Sequence, residues 1–286
     1  MRVLVTGAGG FAGDFVAKYL LGCGCEVTGI IRNGTCRNHP FRVIVHDLAR
    51  PIPIEEDFDV IVHIAGSHPG STCIKLKNDN IDSMENLVDF AKRGNTKRII
   101  FFSSLSIYGE VQDDVVNEHT NVVNPDIYGL SKYIAEKILM ESSFVDGICL
   151  RLPGIVGAQA RHAWMNMVFK KMWMGDSVEI YSPNFMINNF VFIGDLAKFV
   201  YHLLDCRTTG NTFVIGSKEK ISIKECVNLI KECMNSSSCI LEKEAVKKSF
   251  SLDVTHACEN GFSPMPVEKM IRQVAEDYFC AYEKDY

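Results

Sequence analysis

The chain has 286 residues, 47% of them hydrophobic and 23% charged, which suits one large α/β domain, or a domain with a smaller lobe, and excludes a disordered protein. A net charge of −5 and a pI near 5.9 leave no basic stripe, so neither nucleic acid nor an anionic membrane is expected as a partner. Eleven cysteines without a CxxC pair read as small hydrophobes of a reduced, cytoplasmic protein with no structural metal; MRVLVTGAGG is no signal peptide, and no apolar run is long enough to span a bilayer.

Strands are expected at residues 3–6, 27–31, 43–45, 60–64, 99–103 and 148–152, with helices at 11–21, 84–92 and 128–142 between them. Strands separated by helices imply crossovers and a parallel sheet covered on both faces. The first strand hands over to its helix through TGAGGFAG, residues 6–13, where Phe11 opens the helix. Gly7, Gly10 and Gly13 admit two readings. One is a tight turn needing positive φ; the other is a loop lying against a phosphate, with no Cβ in the way and a helix N-terminus aimed at the anion.

The second strand ends at Arg32. A carboxylate there would hold the ribose hydroxyls of NAD, whereas a guanidinium suits a 2′-phosphate, so NADP is favoured over NAD. An Arg32 that simply points into solvent is the alternative. Asp47 and Leu48 of HDLA fall where an adenine would lie. After the fourth strand, Ala65 and Gly66 are placed to approach the cofactor backbone, and His63 reads as a core histidine.

The fifth strand runs into FFSSLSIYGE, whose serines reach the carboxyl edge where open-sheet ligands bind; Ser103 reads as a strand-end cap. In DIYGLSKYIAE, Tyr128 and Lys132 stand four apart and share a helix face. An ammonium beside a phenol favours phenolate, and a drop of about 3 pKa units corresponds to roughly 4 kcal/mol. After Pro153 the rhythm breaks into a smaller mixed α/β lobe. Residues 1–155 are therefore expected to bind a dinucleotide and 156–286 a substrate, with a strand and helix near 188–205 returning to the first part. EKEAVKK near 242–248 reads as a solvated helix face.

TGAGGFAG, HDLA, NIDSMENLVDFAK, SSLSIYG, YGLSK and RLPGIVG occur in the order found in the extended short-chain dehydrogenase/reductases, which the chain resembles over its first 200 residues or so. That family holds nucleotide-sugar epimerases, dehydratases and reductases on a Rossmann-type, doubly wound parallel sheet. The resemblance makes Ser104 the catalytic hydroxyl, Tyr128 the acid/base, and Lys132 the residue that binds the nicotinamide ribose and lowers the tyrosine pKa. Asn80 matches the asparagine opening the helix after the fourth strand, Pro153 the segment beside the nicotinamide, and Tyr108 and Gly109 shape the loop.

The departures narrow the expected chemistry. Dehydratases of the family carry Asp-Glu after the catalytic hydroxyl, where this chain has Leu105 and Ser106, so elimination is disfavoured and Ser106 becomes a substrate contact. Diphosphate-binding members have an arginine where Asn188 stands, so either another cation, such as Arg161 or Lys170, meets the diphosphate or the substrate is not a typical nucleotide sugar; Asn188 and Arg161 are the candidate substrate contacts. The expected activity is NADPH-dependent reduction of a nucleotide-linked 4-keto-6-deoxy sugar. Alternatives are an epimerase with tightly bound NAD and a non-catalytic dinucleotide sensor. The resemblance also implies a homodimer through residues 84–92 and 128–142.

Overall fold

The computed structural model describes residues 1–34, 38–160, 163–244 and 250–282. It opens with β1 (Arg2–Thr6), α1 (Phe11–Gly22), β2 (Glu26–Ile31), β3 (Arg42–Val45) and β4 (Val60–His63). α2 (Cys73–Leu76) continues through a π-helical stretch (Lys77–Asp82) into α3 (Ser83–Arg93). Then come β5 (Arg98–Ser104), a 3-10 turn (Leu105–Tyr108), β6 (Val115–Val116), α4 (Ile127–Glu141) and β7 (Asp146–Leu152). β8 (Gly154–Val156), α5 (Trp164–Met174), β9 (Val178–Tyr181), β10 (Met186–Ile187), β11 (Phe190–Phe192), α6 (Ile193–Leu203) and β12 (Thr212–Val214) follow. The last elements are β13 (Ile221–Ser222), α7 (Ile223–Cys233), β14 (Ile240–Lys243), β15 (Ser251–Leu252), α8 (Thr255–Glu259) and α9 (Val267–Tyr282).

Seven strands form one sheet in the order β12-β7-β5-β4-β1-β2-β3, and every neighbouring pair from β7 to β3 is parallel. This is the doubly wound α/β architecture. Its central strands are apolar on both faces because helices cover both: Val3, Leu4, Val5, Ile61 and Val62 are fully buried, as are Val16, Ala17 and Leu20 of α1. From β1 the chain winds outward to β2 and β3, then returns to build β4, β5 and β7 on the other side. β1 and β4 therefore meet at the point of reversal, where Thr6 pairs with His63, and the loops leaving them lie side by side.

The chain divides into two compact units. One comprises residues 1–111, 120–152 and 197–213 and carries the large sheet; the other comprises 112–119, 153–196 and 214–286. The second unit is built on short pairings: β8 with β11, β9 with β14, β10 with β13, and β6 with β15. Serine and glutamate cap α7 reciprocally, Ser222 accepting from the Glu225 backbone and Glu225 from that of Ser222.

Two local expectations change. The helix expected near 84–92, with Asn80 at its opening, begins earlier at Cys73, with Thr72 as its cap, and runs through a π-helical turn over Lys77–Asp82. The expected helix face at 242–248 contains a strand end: Glu242 and Lys243 pair with β9, and Lys243 Nζ lies 2.7 Å from the Glu179 carboxylate across the strands. Residues 245–249 lie outside the described residues. Among those described, no helix is long and apolar enough to cross a membrane, and no three His, Cys, Asp or Glu are grouped to hold a metal.

Candidate active site

The loop after β1 is shaped by what stands opposite it. Thr6 Oγ1 accepts hydrogen bonds from the backbone N–H of Ile64 and Ala65, both at 3.1 Å, and lies 2.8 Å from His63 Nδ1. This ties the two loops at the switch point together. Gly7 has φ +69°, and a Cβ on it would lie 2.8 Å from the Ala65 nitrogen, so both conformation and space exclude a side chain. A Cβ on Gly13 would sink into the Gly7 carbonyl, so the first turn of α1 rests directly on the loop.

Gly10 differs. Its φ is an ordinary −89°, it caps α1 with no side-chain bond, and a Cβ there would meet only the Gly7 oxygen, at 3.4 Å. Folding does not require glycine at that position. No side chain caps that end of α1, and a helix N-terminus suits an anion, although Asp14 already places a carboxylate in the first turn. The loop fits the pyrophosphate of a dinucleotide, with Phe11 at the mouth of the helix.

At the end of β5, Ser104 Oγ accepts from the Ser106 N–H at 3.1 Å, and its hydroxyl is near enough to the Tyr128 phenol to favour the ionised form. Two devices make that meeting possible. Asp126 caps α4 by accepting from the Gly129 N–H at 2.7 Å, and a Cβ on Gly129 would collide with the Ser106 carbonyl, so only glycine lets α4 close on the 3-10 turn. One turn further, Lys132 is buried, donates to the Phe102 carbonyl at 3.0 Å and stands 4.7 Å above the Phe101 ring.

Gly66 and Asn80 close the arrangement. A Cβ on Gly66 would lie 2.7 Å from Asn80 Oδ1 and 3.1 Å from Lys132 Nζ, so the loop after β4 reaches the amine. Asn80 is buried; its Oδ1 accepts from the Ser67 N–H at 3.0 Å and its Nδ2 donates to Ser131 Oγ at 2.8 Å, pinning that loop to α4. Gly66, Asn80, Ser104, Tyr128 and Lys132 thus meet within one unit.

The electrostatics depart from expectation in one respect. Burial lifts the Tyr128 phenol above its ordinary value, the Ser104 hydroxyl lowers it, and Asp126 raises it further. The Lys132 amine, one turn along α4, is directed at the Phe102 carbonyl. That amine is itself held down to about 8 by burial, with Glu136 working the other way. Burial and the Lys132 charge push His63 down to about 3, so it is a neutral core residue stacked on Phe101. Glu136 forms a buried ion pair with Arg151 at 2.8 Å, and Arg151 also donates to the Tyr108 hydroxyl at 2.9 Å.

Several residues singled out in the sequence stand elsewhere. Arg32 is half-exposed and donates to Asp79 Oδ2 at 2.9 Å. Leu48 turns its side chain into the core beside Leu4 and Ile30, while Asp47 stays at the edge and accepts from the Ala49 N–H. Ser106 contributes backbone to the 3-10 turn. Asn188 is buried in the second unit, where it donates to the Ser217 and Leu252 carbonyls and accepts from the Leu252 N–H, so that backbone engages both of its amide hydrogens. Pro153 follows β7 and belongs to the second unit. Arg161 lies outside the described residues. The sequence reading missed Thr6, Ser67, Asp79, Ser131 and the Glu136–Arg151 pair, all of which act through partners distant in sequence.

A family model described as "NAD dependent epimerase/dehydratase family" matches residues 3–216. UDP-glucuronic acid decarboxylase 1 of Danio rerio is 26% identical over 263 residues, which cover 83% of this chain but only 62% of that protein. An uncharacterized UDP-glucose epimerase of Bacillus subtilis is 25% identical, over 81% of this chain and 82% of its own length. Among solved structures, a UDP-glucuronic acid 4-epimerase from Bacillus cereus in complex with NAD superposes with a TM-score of 0.83 at 22% identity, covering 99% of this chain and 100% of that one. A UDP-N-acetylglucosamine 4-epimerase from Methanobrevibacter ruminantium, in complex with UDP-N-acetylmuramic acid, gives 0.84 at 21% identity, covering 98% of each chain. At these identities the structural likeness speaks to the fold.

Proposed function

The chain belongs to the NAD-dependent epimerase/dehydratase family, and from that premise we propose that it interconverts the epimers of a nucleotide-linked sugar with NAD held on its glycine loop. The observation that carries the reading is the convergence of Ser104, Tyr128 and Lys132 beside Gly66 at the carboxyl ends of β4 and β5. When bound, the nicotinamide supplies a hydride acceptor that can later return the hydride. Tyr128 takes the proton of the sugar hydroxyl and gives it back, and Ser104 hydrogen-bonds the same oxygen. Lys132 supplies positive charge at the ribose side, and Asn80 holds the Ser67 loop against α4 so that the amine keeps its place. Leu105 and Ser106 offer no carboxylate after Ser104, so nothing there assists loss of water.

Epimerisation is preferred to the reduction expected from sequence because Arg32 is engaged by Asp79, and because the similar proteins named above include UDP-sugar epimerases, one solved with NAD. NADPH-dependent reduction of a nucleotide-linked 4-keto-6-deoxy sugar is the second reading. In its favour is the cationic Arg32, 46% exposed, at the end of β2. The proposal keeps residues 1–155 as the dinucleotide half and 156–286 as the substrate lobe, of a cytoplasmic homodimer.

The test is to incubate purified protein with UDP-glucose, UDP-galactose and UDP-glucuronic acid, without added cofactor, and follow epimer formation by NMR. Epimer should form, and Tyr128→Phe should lower kcat by about 10²–10⁴-fold while retaining NAD. Failure on this panel, together with NADPH oxidation by a keto-sugar, would reverse the choice. A Tyr128→Phe variant indistinguishable from wild type would instead point to a dinucleotide sensor.

A further inference from the structure

Arg32 follows β2, Asp79 lies in the helical segment after β4, and β1 with its glycine loop runs between those two strands. The 2.9 Å ion pair between them therefore links the β2 side of the glycine loop to its β4 side. The two partners are anchored unequally. Asp79 Oδ2 also accepts from Ser67 Oγ at 2.6 Å and from Lys75 Nζ at 2.7 Å, and its side chain is 7% exposed. Arg32 has no other partner among the described residues and is 46% exposed. The carboxylate is the fixed member of the pair and the guanidinium the movable one.

A guanidinium held by a buried carboxylate must give up that charge-assisted bond before it can pair with a second anion. Resting on the NAD reading above, we propose that Asp79 sets dinucleotide choice: it draws Arg32 toward the β4 side, away from a 2′-phosphate at the end of β2, so that the chain takes NAD over NADP. Asp79 is a positioning residue in this account. It acts on the cofactor through Arg32, with Ser67 and Lys75 holding it in place.

Calorimetric titration of NAD and NADP into nucleotide-free protein tests this without reference to turnover. Wild type should bind NAD more tightly than NADP. Asp79→Asn removes the charge but keeps the shape, and should tighten NADP by about tenfold or more while moving NAD by less than about threefold. Adding Arg32→Ala to that variant should abolish the gain. Arg32→Ala alone, at a half-exposed site where folding is not at risk, should leave the NADP-to-NAD ratio within about twofold.

Wild type that prefers NADP, or binds neither dinucleotide, overturns the cofactor reading and this inference together. Wild type that prefers NAD, with a ratio untouched by Asp79→Asn, overturns the inference alone. If Asp79→Asn does not fold, Arg32→Ala decides by itself: a tenfold loss of NADP affinity would show that Arg32 already serves the phosphate.

Discussion

Lys132 is a residue kept against the interest of stability. Its amine is buried and held down to about 8 in the folded protein, whereas in the unfolded chain it titrates near 10.5. The sign follows: between those values the unfolded state binds more protons, so stability rises with pH there, and the full penalty applies below pH 8. That penalty is about 3 kcal/mol, and losing the bond to the Phe102 carbonyl would take back about 1 kcal/mol. Lys132→Met should therefore be more stable than wild type by about 2 kcal/mol in urea unfolding at pH 7, with the advantage gone by about pH 10.5 and turnover lost. A variant less stable than wild type at pH 7 would mean the amine is structural. At this scale the sequence is legible where partners share a helix face, as Tyr128 and Lys132 do. It is silent where they meet through sheet pairing: Thr6 and His63 are 57 residues apart, and Arg32 and Asp79 are 47 apart. No local pattern announces that the cation at the end of β2 already has an anion.

The β1–loop–α1 unit is the element whose glycines separate folding from binding. Gly13 admits no Cβ because the Gly7 carbonyl occupies the space, while Gly10 has both an ordinary backbone and room. Gly13→Ala should destabilise the fold by about 1–3 kcal/mol through overpacking. Gly10→Ala should leave the unfolding midpoint within the roughly 0.5 kcal/mol typical of surface changes, yet weaken NAD binding severalfold or more, because the added methyl faces the incoming pyrophosphate. Equal effects on stability, or unchanged NAD affinity in Gly10→Ala, would assign the loop a turn function only. Elements of this kind were readable because strand, glycine triplet and helix are contiguous in the chain. The helix starting at Cys73 was not, since its π-helical turn buries Asp79 and Asn80 in succession and breaks the 3.6-residue period. Two-residue strands such as β6 and β15 carry too little pattern to be seen at all.

At the scale of the whole chain, alternation of strands and helices made the sheet predictable, and the sheet order brings the chain segments that follow β1, β4 and β5 to one edge. The second unit has no such alternation; it is drawn from three separate stretches and joined by distant pairings, Ser251 and Leu252 of β15 meeting Val115 and Val116. Asn188 is a junction of that unit, bonding Ser217 on one side and Leu252 on the other. Two roles for this residue make opposite predictions. A diphosphate ligand, when truncated, would raise KM for the nucleotide sugar and leave folding unchanged. A junction, when truncated, leaves buried carbonyls and an N–H without partners, each at about 1–3 kcal/mol. Asn188→Ala should accordingly lower the thermal midpoint by several degrees, with KM changed less than about threefold in the fraction that remains folded. A normal midpoint with a tenfold rise in KM would return Asn188 to the substrate. That outcome would require the asparagine to exchange its backbone partners for substrate, although at present both of its amide hydrogens hold two segments of the unit together.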